Sequence, residues 1–264
     1  MVVINNIRIS YIQADLVWED SRANLKRFEC YLKQIKDVDL VILPEMFNTG
    51  FSANVKKLAQ SQDGKLTQWL MFQSKSFNFA IMGSAIIEDS GKYYNRLLMA
   101  SPDGELRYYD KRHLFRMGGE DESFDSGRRV EIFNYLGWRI RPLICYDLRF
   151  PVWSRNVNNY DLLIYVANWP AVRSEVWKTL LKARAIENQS YVVGVNRVGS
   201  DGMKINYSGN SMVVDPKGNA ISEIAENTEG FNKITLSLDE LIKFREKFPV
   251  HLDADDFKIL GVDR

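Results

Sequence analysis

The chain has 264 residues, 45% of them hydrophobic and 26% charged, and 35 Lys and Arg against 34 Asp and Glu leave a net charge of +1. That balance excludes the electrostatic footprint of a protein for nucleic acid, an anionic membrane or a strongly acidic partner, and favours a small substrate recognised locally. The length and apolar content suffice for a large core in a single domain over 1–264, with no linker or low-complexity tract to divide it.

In chain order, residues 7–13 alternate apolar and polar as a strand does, Ala23, Leu25, Phe28, Leu32 and Ile35 recur at helical spacing, and 38–43 reads as a short buried strand. A helix over 66–74 and a strand over 79–87 repeat this β-α-β opening, which implies a layered α/β domain. Turn signals at Asp89-Ser90-Gly91 and Pro102-Asp103-Gly104 bound strands at 93–100 and 106–109, an antiparallel meander that makes the sheet mixed. After a charged loop over 118–129, strands at 130–133 and 139–144 flank the turn Leu136-Gly137-Trp138. A buried strand at 162–166, a helix at 175–188 and a strand at 191–196 resume the β-α-β pattern. A hairpin pairs 207–214 with 220–224, a strand follows at 230–236, and the last helix covers 238–247. Duplicated halves of this kind can form two sheets packed face to face with helices outside.

Residues 1–10 lack a basic region followed by an apolar core, and no apolar run approaches the roughly 20 residues that span a bilayer, so a cytoplasmic protein is expected. Cys30 and Cys145 lie in unlike surroundings and are expected to be reduced thiols, Cys30 packed in the first helix without a chemical role. The only histidines are His113 and His251, and no His-x-x-x-His, Cys-x-x-Cys or phosphate-cradling glycine loop occurs. No metal and no cofactor are expected.

Three residues sit where a strand gives way to a polar turn. Glu45 follows Val41-Ile42-Leu43-Pro44, Lys111 follows Tyr108-Tyr109-Asp110, and Cys145 ends the run Leu143-Ile144. Each has a plain structural alternative: a cap or ion pair for Glu45, a solvated lysine, a small buried hydrophobe for the thiol. Together they supply a different set of roles. A thiol attacking an amide needs a base for its proton, a donor for the tetrahedral oxyanion and an acid for the leaving amine. Glu45, Lys111 and Cys145 provide these without histidine, their protons being coupled.

The strings Leu43-Pro44-Glu45-Met46-Phe47, Tyr109-Asp110-Lys111-Arg112-His113-Leu114-Phe115 and Ile144-Cys145-Tyr146-Asp147-Leu148-Arg149-Phe150-Pro151 resemble the nitrilase superfamily of carbon-nitrogen hydrolases. Ala167-Asn168-Trp169-Pro170, Arg184-Ala185-Ile186-Glu187-Asn188 and Ser208-Gly209-Asn210-Ser211 extend the resemblance over nearly the whole chain. It implies a four-layer α-β-β-α sandwich with two mixed sheets. It also implies Glu45 as general base, Lys111 and the Tyr146 N–H as oxyanion donors, Cys145 as the acylated nucleophile and a second glutamate before the cysteine strand. Glu120 matches that last position, with Glu122 as the alternative. By the same resemblance His113 is scaffold, while Arg184 and Glu187, three apart on a helix, are spaced for an ion pair that supports the site.

The narrower resemblance is to the ω-amidase branch, on His113-Leu114-Phe115-Arg116-Met117 and the string from Cys145 to Pro151. It implies hydrolysis of the terminal amide of short dicarboxylate monoamides through a thioester, and a family-type homodimer. The substrate's free carboxylate then needs a cation, for which Arg149 and Arg116 are candidates. Phe115, Met117 and Trp169 are candidate pocket walls. Competing readings are another amidase, a nitrilase or an N-carbamoyl amidohydrolase of the same superfamily, a non-catalytic binding module, and a thiol redox protein, the last disfavoured by the lack of a resolving cysteine near Cys145.

Overall fold

The computed structural model describes residues 4–157 and 159–263. Its first part runs β1 (Asn6–Gln13), α1 (Ser21–Gln34), β2 (Leu40–Ile42), α2 (Val55–Leu58), β3 (Gln60–Ser61), α3 (Lys65–Phe77), β4 (Ala80–Asp89), β5 (Lys92–Ala100), β6 (Leu106–Asp110) and the one-turn α4 (Glu120–Ser123). The second continues with β7 (Phe133–Tyr135), β8 (Trp138–Ile144), α5 (Pro151–Ser154), β9 (Leu162–Ala167), α6 (Ser174–Asn188), β10 (Tyr191–Asn196), β11 (Val198–Ser200) and β12 (Asn206–Ser208). It closes with β13 (Met212–Val214), β14 (Ala220–Glu223), β15 (Gly230–Ser237) and α7 (Leu238–Lys247). Among these residues no helix is long and apolar enough to cross a membrane.

One mixed sheet has the order β15-β1-β2-β4-β5-β6, with β3 beside β4, and the other the order β14-β13-β10-β9-β8-β7. The two-residue period of a strand sorts the first sheet's side chains into two cores. Ile7, Ile9 and Tyr11 of β1, Leu40 and Ile42 of β2, and Leu97 and Met99 of β5 face the second sheet. Ile12, Val41, Leu43 and Ile81 face the other way, onto Phe28 and Leu32 of α1 and Leu66 and Leu70 of α3. Every residue of β9 is buried, because this strand is covered on one side by the first sheet and on the other by Trp177, Leu181 and Ala185 of α6. The helix comes so close to β10 that a Cβ on Gly194 would stand 2.4 Å from Leu181. Each fully buried Leu, Ile or Val contributes about 1.5–3 kcal/mol. The layers are those expected, helices outside two mixed sheets.

Three expectations need correction. Cys30 is exposed. Asn24, Phe28 and Leu32 take the inner face of α1 at four-residue spacing, which turns position 30 outward. The strand expected over 207–214 is two strands broken at Gly209-Asn210-Ser211, where Gly209 and Asn210 have φ of 77° and 59°. A Cβ on Gly209 would lie 2.1 Å from the Gln13 carboxamide, so the break belongs to a close crossing over β1. The strand expected at 130–133 starts only at Phe133.

Candidate active site

β8 ends at Ile144 and the chain turns at once into a 3-10 helix over Cys145–Arg149, with Cys145 itself at φ 44°. A left-handed non-glycine residue costs on the order of 1–3 kcal/mol, so its surroundings must hold it. Asp147, fully buried, does so. Its Oδ2 accepts from the Ile144 N–H at 3.1 Å and the Tyr109 hydroxyl at 2.8 Å, and its Oδ1 accepts from the His113 N–H at 3.0 Å. The His113 ring places Nδ1 2.8 Å from the same oxygen and stacks on Phe150 with centroids 3.7 Å apart, which makes it scaffold for the turn. From α6, Arg184 donates to the Leu148 carbonyl at 2.7 Å and pairs with Glu187 at 2.9 Å, bracing the same turn from behind.

The first sheet delivers the charged groups. Glu45 leaves β2 through Leu43 and Pro44 and is fully buried, with Met46 next to it at φ 44°. Lys111, leaving β6, is also buried and donates to Glu45 Oε1 at 3.0 Å and to Glu120 Oε1 and Oε2 at 2.9 and 2.8 Å. Glu120, at the start of α4, further accepts the Phe115 N–H on Oε2 at 2.6 Å. Asn95 of β5 donates through Nδ2 to Glu45 Oε1 at 2.8 Å and Glu120 Oε1 at 3.2 Å. From the second sheet, Asn168 after β9 gives its N–H to Glu45 Oε2 and its Nδ2 to the Glu45 carbonyl, both at 2.7 Å. The Asn168 carbonyl stands 4.0 Å from Cys145 Sγ. Glu45, Lys111, Glu120 and Cys145 thus meet where the two sheets abut, whereas Glu122 is exposed.

These charges set the protonation states. Burial opposes the Lys111 ammonium, but Glu120 and then Glu45 outweigh it and raise its pKa, so the lysine stays charged. Burial pushes Glu120 above its ordinary value, Lys111 opposing and Glu45 adding. Burial and then Glu45 push the Cys145 thiol well above its ordinary value, with Lys111 pulling the other way. The free protein therefore holds a thiol at neutral pH, and a base must take its proton when it reacts.

Cys145 and Lys111 open onto a cavity of about 650 Å³ whose walls include Phe51, Phe115, Tyr146, Trp169 and Tyr207. Phe115, Met117, Tyr146, Arg149 and Trp169 line it, Met117 with 75% exposure. Arg116 does not line it. Its side chain is 86% exposed and pairs with Asp121 at 3.1 Å, because the 3-10 turn Arg116–Gly118 points it outward. Arg173, which sequence reasoning passed over, lines the same cavity as Arg149. Its guanidinium lies 5.6 Å from the Phe115 ring centroid, and that of Arg149 lies 5.1 Å from Trp169. Among the described residues neither has a carboxylate partner, and no group of three or more His, Cys, Asp or Glu is arranged to hold a metal.

Asn95, Asp147 and Asn168 were also passed over as contributors to the site. Asn95 had a readable signal. It shares its strand face with Leu97 and Met99, so it is a polar residue on a core-facing position of β5.

The profile of the carbon-nitrogen hydrolase family matches residues 8–246. Omega-amidase YafV of Escherichia coli K12 is 45% identical over 96% of this chain and 98% of its own length. The 2-oxoglutaramate amidase of Bacillus subtilis is 34% identical over 93% of this chain and 96% of its own. Among solved structures, XC1258 from Xanthomonas campestris, a CN-hydrolase superfamily protein with an arsenic adduct in its active site, superposes with a TM-score of 0.94 at 42% identity. That match covers 97% of this chain and 100% of XC1258.

Proposed function

The chain belongs to the carbon-nitrogen hydrolase family, and on that premise we propose that it works as an ω-amidase, hydrolysing the terminal amide of short dicarboxylate monoamides to the acid and ammonia. α-Ketoglutaramate, α-ketosuccinamate and succinamate are the substrates of this class. The observation that carries the reaction is the buried Glu45–Lys111–Glu120 cluster set beside a protonated Cys145 at the floor of the cavity. Relatives named for ω-amide hydrolysis, matched over nearly their whole length, carry the substrate class.

In this reading a Glu45 oxygen takes the Cys145 proton as Sγ attacks the amide carbon. The carbonyl π bond opens to an oxyanion held by the Lys111 ammonium and the Tyr146 N–H, which lies in the first turn of a 3-10 helix and has no partner within it. Glu45 returns the proton to nitrogen, the C–N bond breaks, and ammonia leaves a thioester on Cys145. A water then gives a proton to Glu45 and attacks the thioester, and collapse of the second tetrahedral intermediate releases the acid and restores the thiol. Glu120 keeps Lys111 aimed. Arg149 or Arg173 receives the free carboxylate, supported by their position on the wall without an acidic partner, and Phe115, Met117 and Trp169 flank the acyl chain.

The same reading takes the 264 residues as one catalytic domain, supported by a core that spans both sheets. Two free thiols fit a reducing cytoplasm, and Val152 and Ile186, apolar and exposed on α5 and α6, fit a homodimer contact. Ammonia release from succinamate and α-ketoglutaramate, measured beside a nitrile and an N-carbamoyl amino acid, tests the substrate class. Turnover of the ω-amides is expected, and its absence overturns the reading. An acyl adduct on Cys145, seen by intact mass and missing in Cys145→Ala, separates an enzyme from a binding module.

A further inference from the structure

Two buried carboxylates stand around one ammonium, a set with one negative charge in excess. Such pairs commonly resolve the excess by sharing a proton, which would silence Glu45 as a base. Here a second nitrogen stands against the same two oxygens. Lys111 Nζ bridges Glu45 Oε1 and Glu120 Oε1 at 3.0 and 2.9 Å, and Asn95 Nδ2 bridges the identical pair at 2.8 and 3.2 Å. An amide nitrogen carries two hydrogens, so both of Asn95's are spent, one on each carboxylate. The orientation is determined by chemistry, since only the nitrogen end can face two carboxylate oxygens. Among the described residues its buried Oδ1 has no partner, a cost that a residue retained for packing alone would not carry. Across the strand end, the Lys111 N–H donates to the Asn95 carbonyl at 3.0 Å, so the two nitrogens are tied to one stretch of backbone.

We propose that Asn95 is a positioning residue for the amidase reaction, the neutral counterpart of Lys111, whose two N–H groups keep Glu45 and Glu120 apart as separate carboxylates and hold Glu45 ready to take the Cys145 proton. The inference rests on the amidase reading above. The charged or titratable groups facing this pair are Lys111 and Cys145, with Tyr207 near Glu45. When Glu45 accepts the proton from Sγ, Asn95 leaves the oxygens in place and Lys111 is free to turn toward the oxyanion. Asn95 is not on the cavity wall, so substrate binding does not depend on it.

The test uses the full chain as Asn95→Asp and Asn95→Ala, with folding verified by circular dichroism and thermal melting. On ω-amides, kcat falls at least about thirtyfold for Asn95→Asp and about tenfold for Asn95→Ala, while KM stays within about threefold. Loss of the donor favours the protonated carboxylates, so the acid limb of kcat/KM moves to higher pH in both. Iodoacetamide alkylation of Cys145, which needs no substrate, shifts to lower pH in Asn95→Ala, because a protonated carboxylate no longer raises the thiol. If only the substrate reading is wrong, the native protein shows no amide turnover while the alkylation profile still moves. Should Asn95→Asp fail to fold, Asn95→Ala and Asn95→Ser carry the same reading. A folded Asn95→Ala with native kcat, or with a uniform loss and unshifted pH profiles, overturns the proposal.

Discussion

The two sheets repeat one sequence of pairings and deliver different chemistry. From β15 to β6, and again from β7 to β14, neighbouring strands pair antiparallel, parallel, parallel, antiparallel, antiparallel. The third strand is β2 in one sheet and β9 in the other, and the residues leaving them, Glu45 and Asn168, meet through two 2.7 Å hydrogen bonds. The half built on the first sheet brings the charges Glu45, Lys111 and Glu120, with the neutral Asn95 that bridges the two carboxylates. The second brings the thiol, on a turn held by Asp147 and Arg184. One scaffold used twice thus divides the work, a buried field from one half and from the other the strained Cys145 that is the proposed nucleophile.

If the division is real, the largest loss comes from the nucleophile's half. Cys145→Ala is expected to lose at least about 10⁴-fold in kcat, read as ammonia release, while calorimetry still detects substrate binding. Removing the base tests the charged half. Glu45→Gln is expected to lower kcat about 10³-fold. Because Glu45 is the second cause, after burial, that raises the Cys145 thiol, the same substitution lowers the thiol's pKa. Alkylation of Cys145 in Glu45→Gln should therefore rise at lower pH than in the native protein. An unchanged alkylation profile would separate Glu45 from the thiol's field.

Asp147→Ala probes the turn without touching the charges. It leaves the Ile144 and His113 N–H groups and the Tyr109 hydroxyl without their acceptor, and should cost about 3 kcal/mol or more in urea unfolding as well as activity. A stable, active variant would show that the turn holds itself. Arg173→Ala is expected to raise KM about tenfold with kcat little changed, the cost of a hydrogen bond to a carboxylate. Arg116→Ala, which removes only an exposed pair with Asp121, should change KM less than about twofold.

Much of the fold was legible because its signals are local. The alternation of β1, the unbroken apolar run of β9 and the helical spacing of Phe28 and Leu32 each reflect burial on one face or both. Cys30 is exposed because its place on the helix, two residues beyond the inward Phe28, outweighs a cysteine's apolar character. The break between β12 and β13 was invisible because its cause, the Gln13 side chain crossing under Gly209, lies far away in sequence.

The site divides in the same way. By itself the sequence pointed to the candidate reacting groups Glu45, Lys111 and Cys145, since a charged or nucleophilic residue at a strand's end is conspicuous against the apolar run before it, while the resemblance of the strings around them implied their roles and put Glu120 beside them by position. Only the tertiary structure decided how those groups are held and what faces the substrate: Asn95 across two carboxylates, Asp147 under the nucleophile's turn, Arg173 on the cavity wall and Arg116 off it. Hydrophobic periodicity is set by each segment's own burial. A hydrogen-bond partner depends on the register between strands and on the rotation of a short turn, which no local pattern encodes.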